Sequence, residues 1–237
     1  MANVFQNLDW SVLTSIFVRI IPALICITFH ELAHGFTAYR LGDNTAKDMG
    51  RLTFNPIKHI DVFGLLMMVV FRFGWAKPVP VNMRNFKKPK WHMAITAIAG
   101  PLSNLILAVV VIFILGLVYI ALGGPFTSGF AEIVIDTLFF TAYLSIALAV
   151  FNMLPIPPLD GSKVLFSLLP EKAYFKLMRY ERYGMVLLIL LVNLGFILDR
   201  LGVGIRVDIF GATIGKLTET LYGYALYVFD FAMKLVN

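Results

Sequence analysis

A single cysteine, Cys26, occurs among the 237 residues, so no disulfide can form within the chain and a loop scaffold stapled by bridges is excluded. Charge is scarce as well: 14% of residues are Asp, Glu, Lys or Arg, against 59% hydrophobic. At a mean hydropathy of +0.82, too little polar surface remains to enclose a water-soluble core. No polar stretch is long enough to fold apart from the rest, and neither a repeat nor a low-complexity tract interrupts the chain. Residues 1–10 lack the basic n-region and small-residue cleavage site of a removable signal peptide. Basic residues outnumber acidic ones, giving a net charge of +6, but they fall in short loops between apolar runs. There they set membrane topology, and nucleic acid is not expected as a partner.

The apolar runs themselves predict an all-α multi-pass protein embedded in a lipid bilayer. Spans are expected over residues 11–41, 93–122 and 131–154, followed by a short run at 185–198 and a helix of mixed character at 211–236. At roughly 20 residues per crossing, the chain has room for about four to six spans. These form one domain over 1–237, with core motifs in 28–161 and additional C-terminal helices in 183–237. Between the first two spans, Ala76-Lys77-Pro78-Val79-Pro80-Val81-Asn82 alternates prolines, which rules out a helix interior and favours extended chain. The segment is expected as an edge strand or a loop. Basic clusters at 84–90 and 172–182 contrast with the uncharged turn at 123–129, so the two clusters are placed on the cytoplasmic side of the cell membrane. Residues 171–182 read as a charged loop. Arg40, Lys47, Arg51 and Lys58 follow the first span, whose C-terminal end therefore faces the same side.

Near that end stands His30-Glu31-Leu32-Ala33-His34. Histidines four residues apart share one face of a helix, so both imidazoles can reach one zinc ion, and Glu31 can take a proton from water held there. HExxH fixes only three positions and also occurs by chance in soluble proteins. Placement at bilayer depth separates the two readings, because each ionisable group there costs about 2.5–3.5 kcal/mol and calls for a compensating partner such as a cation.

A catalytic zinc site commonly takes three protein ligands. Asp160 is the favoured third: it follows three prolines in Asn152-Met153-Leu154-Pro155-Ile156-Pro157-Pro158-Leu159-Asp160-Gly161, where a broken helix can turn a carboxylate back toward the first span. The competing reading makes Asp160 an ordinary turn residue that caps the next segment. Cys26, one turn before His30, has the geometry of a ligand but reads as core packing. His59 and His92 read as interfacial, and Glu132 and Asp136 as acidic residues at the outer start of the third span. In the second span, Ala99-Gly100-Pro101-Leu102-Ser103-Asn104 combines a site of close helix approach with an amide at membrane depth. Asn104 reads either as a packing hydrogen bond or, beside a metal site, as an outer partner of the metal or a substrate-orienting group.

Taken together, HELAH, AGPLSN and FNMLPIPPLDG occur in the order found in the site-2 proteases, and the chain resembles that family over residues 28–161, including GWAKPVPVN. The resemblance implies a zinc intramembrane metalloprotease that cuts transmembrane segments of other proteins, with residues 51–82 as a short membrane-associated β-like re-entrant segment beside the catalytic helices. It implies one zinc ion on His30, His34 and Asp160, Glu31 as general base, and Asn152 near the metal with a role in holding substrate or oxyanion. Many members carry a PDZ domain between the second and third core spans, for which residues 123–129 are far too short. The rival from another class is a transporter or metal-permeation protein using the same ligands, although the repeated halves usual in transporters are lacking.

Overall fold

The computed structural model describes residues 10–64, 76–121, 129–194, 198, 200 and 211–236. Its long helices are α1 (Trp10–Arg40), α3 (Pro89–Ala121), α4 (Phe130–Asn152), α6 (Glu171–Val192) and α7 (Gly211–Val236), with the short α2 (Thr45–Asp48) and α5 (Asp160–Ser167) between them. In hydrocarbon, every backbone N–H and C=O must be paired within the segment, and a helix does this without partners. Among the described residues three helices are long and apolar enough to cross a membrane: Val18–Arg40 of α1, α3 and α4. Ile95, Leu102, Ile106, Val109 and Phe113 of α3 point outward, an apolar surface that suits lipid rather than water.

These three helices pack on one another around Cys26, Leu107, Ala108, Val111, Ile112, Ala142 and Ile146. Cys26 Sγ lies 3.5 Å from the Thr141 carbonyl of α4, so the thiol is a packing group. Tyr222 of α7 joins the cluster and stacks edge-on against Phe139 and Tyr143, with ring centroids 5.1 and 6.1 Å away. This docks the mixed C-terminal helix on α4.

Two elements depart from the sequence reading. Residues 171–182 are helical, forming the first half of α6. Glu, Lys, Arg, Met and Leu are good helix formers whatever their charge, and Pro170 begins the helix at its cap, where a missing N–H costs nothing. The apolar part of α6, Tyr183–Val192, is short; residues 195–197 and 199, within the expected fourth run, lie outside the described residues. His59 is buried rather than interfacial, its Nε2 donating to the Thr53 carbonyl at 2.9 Å.

Among the described residues no strand forms. Residues 76–82 run extended without a ladder partner, and residues 65–75 lie outside the described set. Helix α1 ends in a Schellman motif: Gly42 takes φ 105°, its N–H bonds the Tyr39 carbonyl, and the Asp43 N–H bonds that of Ala38 at 2.9 Å. The reversal carries the chain back along α1 and delivers Asp43 and Arg51 to opposite ends of the extended segment.

Candidate metal centre

Helix α1 presents two working faces. His30 and His34 turn toward α3, and Glu31 and Gly35 turn toward residues 76–82. A Cβ on Gly35 would fall 2.6 Å from Leu52 Cδ2 and 2.9 Å from Val79 Cγ1, so glycine lets the extended segment lie directly against the helix. The Val79 N–H donates to Glu31 Oε2 at 2.7 Å and fixes that carboxylate.

The segment is clamped at both ends. Arg51 Nη2 donates to the carbonyls of Lys77 (2.8 Å) and Pro78 (3.2 Å), and Lys77 N–H donates to the His59 carbonyl at 2.9 Å. At the far end, buried Asp43 accepts from the Asn82 N–H (2.6 Å) and from Asn85 Nδ2 (2.7 Å). Burial pushes the Asp43 carboxyl up, but hydrogen bonds from Thr45, Asn82 and Asn85 outweigh it and hold the group below the ordinary carboxylate range. The clamp is therefore intact above about pH 4 and is lost on acidification through the lowered pKa. Asp43→Ala is expected to lower stability by about 1.5–3 kcal/mol, the range for hydrogen bonds to a charged group, while leaving zinc retention intact. An unchanged melting temperature would reject the clamp.

On the other face, the two imidazoles and Asp160 converge. His30 Nε2 and His34 Nε2 lie 3.0 Å apart, and Asp160 Oδ2 is 3.2 Å from the first and 3.1 Å from the second. His34 Nδ1 is 2.7 Å from the Thr96 carbonyl, which only accepts, so Nδ1 carries the proton and Nε2 a lone pair. His30 Nδ1 lies 3.3 Å from the Asn104 side-chain amide. With the amide turned so that Oδ1 faces it, Asn104 accepts from Nδ1–H, and His30 Nε2 is freed as a second lone pair. Asp160 Oδ2 is buried, and its polar neighbours are the two Nε2 atoms. Two imidazole nitrogens and a carboxylate oxygen thus converge on one spot, where a cation held among them would satisfy all three. Two imidazole nitrogens and a carboxylate oxygen make up the donor set of catalytic zinc sites, and among the described residues these three side chains are the group able to hold a metal.

Two close approaches create this geometry. At Gly100 of α3 a Cβ would fall 2.7 Å from His30 Cε1 and closer still to the His34 ring. At Gly161 a Cβ would fall 2.6 Å from the Leu154 carbonyl oxygen, so the proline-broken loop folds tightly onto the start of α5. Asp160 opens that helix, yet its side chain faces α1 instead of capping it.

The remaining sequence candidates separate clearly. Asn104 is fully buried against His30, and its backbone carbonyl accepts from Ser145 Oγ of α4 at 2.9 Å. Asn152 lines the cavities beside His30 and Glu31, with Nδ2 donating to the Leu148 carbonyl at 2.9 Å and no bond to the ligands. Cys26, His59, His92, Glu132 and Asp136 stand outside the metal group. Sequence reasoning missed the Thr96 carbonyl, which no residue type announces. It also missed Asp43, Arg51, Lys163 and Glu181, whose partners are remote in sequence.

A cavity of about 420 Å³ opens beside the group, walled by Glu31, Pro78, Val81, Asp160, Lys163 and Glu181. A second, of about 230 Å³, reaches His30 and Glu31 from the apolar side past Ile27, Leu148, Phe151 and Leu188.

The family profile of peptidase family M50 matches residues 18–132 and 116–193. The chain belongs to peptidase family M50. Three relatives are each named "Putative zinc metalloprotease": YwhC of Bacillus subtilis, Rip2 of Mycolicibacterium smegmatis and MJ0611 of Methanocaldococcus jannaschii. YwhC is 43% identical over 73% of this chain and 78% of its own. For Rip2 the values are 29% over 75% and 67%, and for MJ0611 31% over 70% and 77%. No solved structure matches the chain. This M50 chain is thus a zinc metalloprotease carrying helices apolar enough to cross a membrane, and the grouped ligands fit the metal that its relatives' names imply.

Proposed function

We propose that this M50 protease hydrolyses peptide bonds in or next to transmembrane segments of membrane proteins, from a site in the cytoplasmic half of the cell membrane, as a single domain over its whole length. The observation that carries the reading is the placement of Glu31. It shares the wall of one cavity with His30, His34 and Asp160, and its carboxylate is held by the Val79 N–H. A metal-transit or purely structural site needs no such base.

His30, His34 and Asp160 hold the metal, with Asn104 and the Thr96 carbonyl fixing the two imidazoles. Bound zinc supplies a Lewis acid that polarises the scissile carbonyl and lowers the pKa of water to about 7. Glu31 takes the proton from the attacking water and returns it to the leaving amine. Asn152, in the same wall, is placed to orient the substrate. A helical substrate hides its carbonyls in i to i−4 bonds and must open before attack. Residues 78–81 receive the opened strand by edge addition. Pro78 and Pro80 lack N–H groups and Val79 donates to Glu31, so among the described residues of this stretch Val81 keeps the donor for that pairing. Most of the strand contact therefore uses carbonyl acceptors of the segment.

The test is cleavage of a single-pass substrate by purified protein with and without a zinc chelator. Wild type is expected to hold about one zinc per chain and to lose cleavage on chelation. His34→Ala and Asp160→Asn should lose most of the metal and the activity, while Cys26→Ala keeps both. Full zinc in His34→Ala, or metal loss confined to the cysteine variant, would reject the ligand assignment.

A further inference from the structure

Lys163 is a half-buried cation beside a metal site, and the reading above gives it no role. It lies one turn after Asp160 on α5, where residues three apart share a face. Its Nζ has three acceptors around it: Asp160 Oδ1 at 3.7 Å, Glu181 Oε1 of α6 at 3.2 Å and the Pro158 carbonyl at 3.4 Å. Glu181 and the Pro158 carbonyl lie within hydrogen-bond reach of the ammonium and Asp160 Oδ1 is a longer ion-pair contact, so the group is held between the two carboxylates. Its side chain is 16% exposed and that of Glu181 24%, so neither end of the pair is a loose surface charge.

Helix α6 is brought to this position by close contact. A Cβ on Gly184 would fall 2.6 Å from Pro157, and Gly184 stands one turn from Glu181 on the same face of α6. The contact sets the helix against the proline loop and aims Glu181 at Lys163.

The two oxygens of Asp160 then face different cations. Oδ2 faces His30 and His34 Nε2, where the metal belongs, and Oδ1 faces Lys163. We propose that Lys163, anchored by Glu181, is a positioning residue that holds Asp160 to metal ligation through one oxygen. The inference rests on the metalloprotease reading. Without the ammonium, Oδ1 would lose the cation beside it, and the nearest remaining one would be the metal. A two-oxygen ligand takes up coordination that a catalytic zinc site leaves to water. The Lys163–Glu181 pair is neutral as a whole, so it directs the carboxylate without adding net charge beside the metal.

The experiment replaces zinc by cobalt(II), whose visible bands are strong in four-coordinate sites and weak when coordination rises, and compares full-length wild type, Lys163→Met and Lys163→Arg. Methionine keeps the stem and loses the charge. Lys163→Met is expected to bind one cobalt with weakened visible absorption. In the zinc form its kcat should fall about 10–100-fold, the range for outer partners of metal ligands, with KM unchanged. Lys163→Arg should restore both readouts. Wild-type spectrum and turnover in Lys163→Met, or losses that arginine does not restore, would overturn the proposal. Melting of the metal-free proteins reports folding, and if Lys163→Met does not fold, Glu181→Gln must show the same changes at smaller size or the proposal fails. The spectra need no cleavage. A wild type that binds cobalt but cuts no substrate would defeat the protease reading, and the spectra would still decide the role of Lys163.

Discussion

Glu31→Gln is expected to retain zinc and fold normally while cleavage of a membrane substrate falls by about 10²- to 10⁴-fold, the range for a positioned general base. Glutamine keeps the length of the side chain, and its carbonyl oxygen can still accept from the Val79 N–H, so the extended segment stays in place. What it loses is the capacity to take a proton from water. The comparison should be made in liposomes with zinc-loaded proteins, together with substrate binding, which is expected to survive. Equal turnover by the two proteins would remove Glu31 as the base. Failure of wild type to cleave several single-pass substrates would put intramembrane proteolysis itself in question, leaving the metal site untouched.

Gly100→Ala should also have a large effect, and in the direction opposite to its local preference. In a helix interior alanine is favoured over glycine by about 1 kcal/mol. At this position the added methyl would fall 2.7 Å from His30 Cε1 and closer still to His34, so the imidazoles or α3 itself must move. Metal sites tolerate displacements of about 0.2 Å. A shift on the order of 1 Å in a catalytic group can cost about 10²-fold in rate. The variant is therefore expected to keep its helix content, lose most of its zinc, and cleave at least about 10²-fold more slowly. Full zinc occupancy with wild-type cleavage would show that the close approach of α3 is not what shapes the site.

Much of the site was legible because its parts are local. HELAH places two histidines and a carboxylate by helical periodicity alone, and the apolar run around it gives a helix long enough to cross a membrane. AGPLSN announced a close approach and a buried amide, and the structure shows what approaches: the histidine rings at Gly100 and His30 at Asn104. The reading of 171–182 as a loop failed because charge was taken for irregularity, whereas charged residues of good helix propensity extend α6 through it. The polar neighbours of His59 suggest an interfacial side chain, whereas it is buried with its Nε2 donating to the Thr53 carbonyl, a pairing that composition does not disclose.

By itself, the sequence determined the membrane class, the two-histidine pair with its adjacent carboxylate, and the extended character of the Pro78–Pro80 stretch, since each depends on period, hydropathy or a fixed φ within a few residues. Only the tertiary structure decided that Asp160 turns onto the histidines and that the Thr96 carbonyl and the Asn104 amide meet their Nδ1 atoms. It alone decided that Arg51 and Asp43 clamp the segment that holds Glu31, and that α6 brings Glu181 to Lys163. These pairings join residues tens of positions apart through backbone carbonyls and ion pairs, and their existence depends on how helices pack rather than on any pattern along the chain.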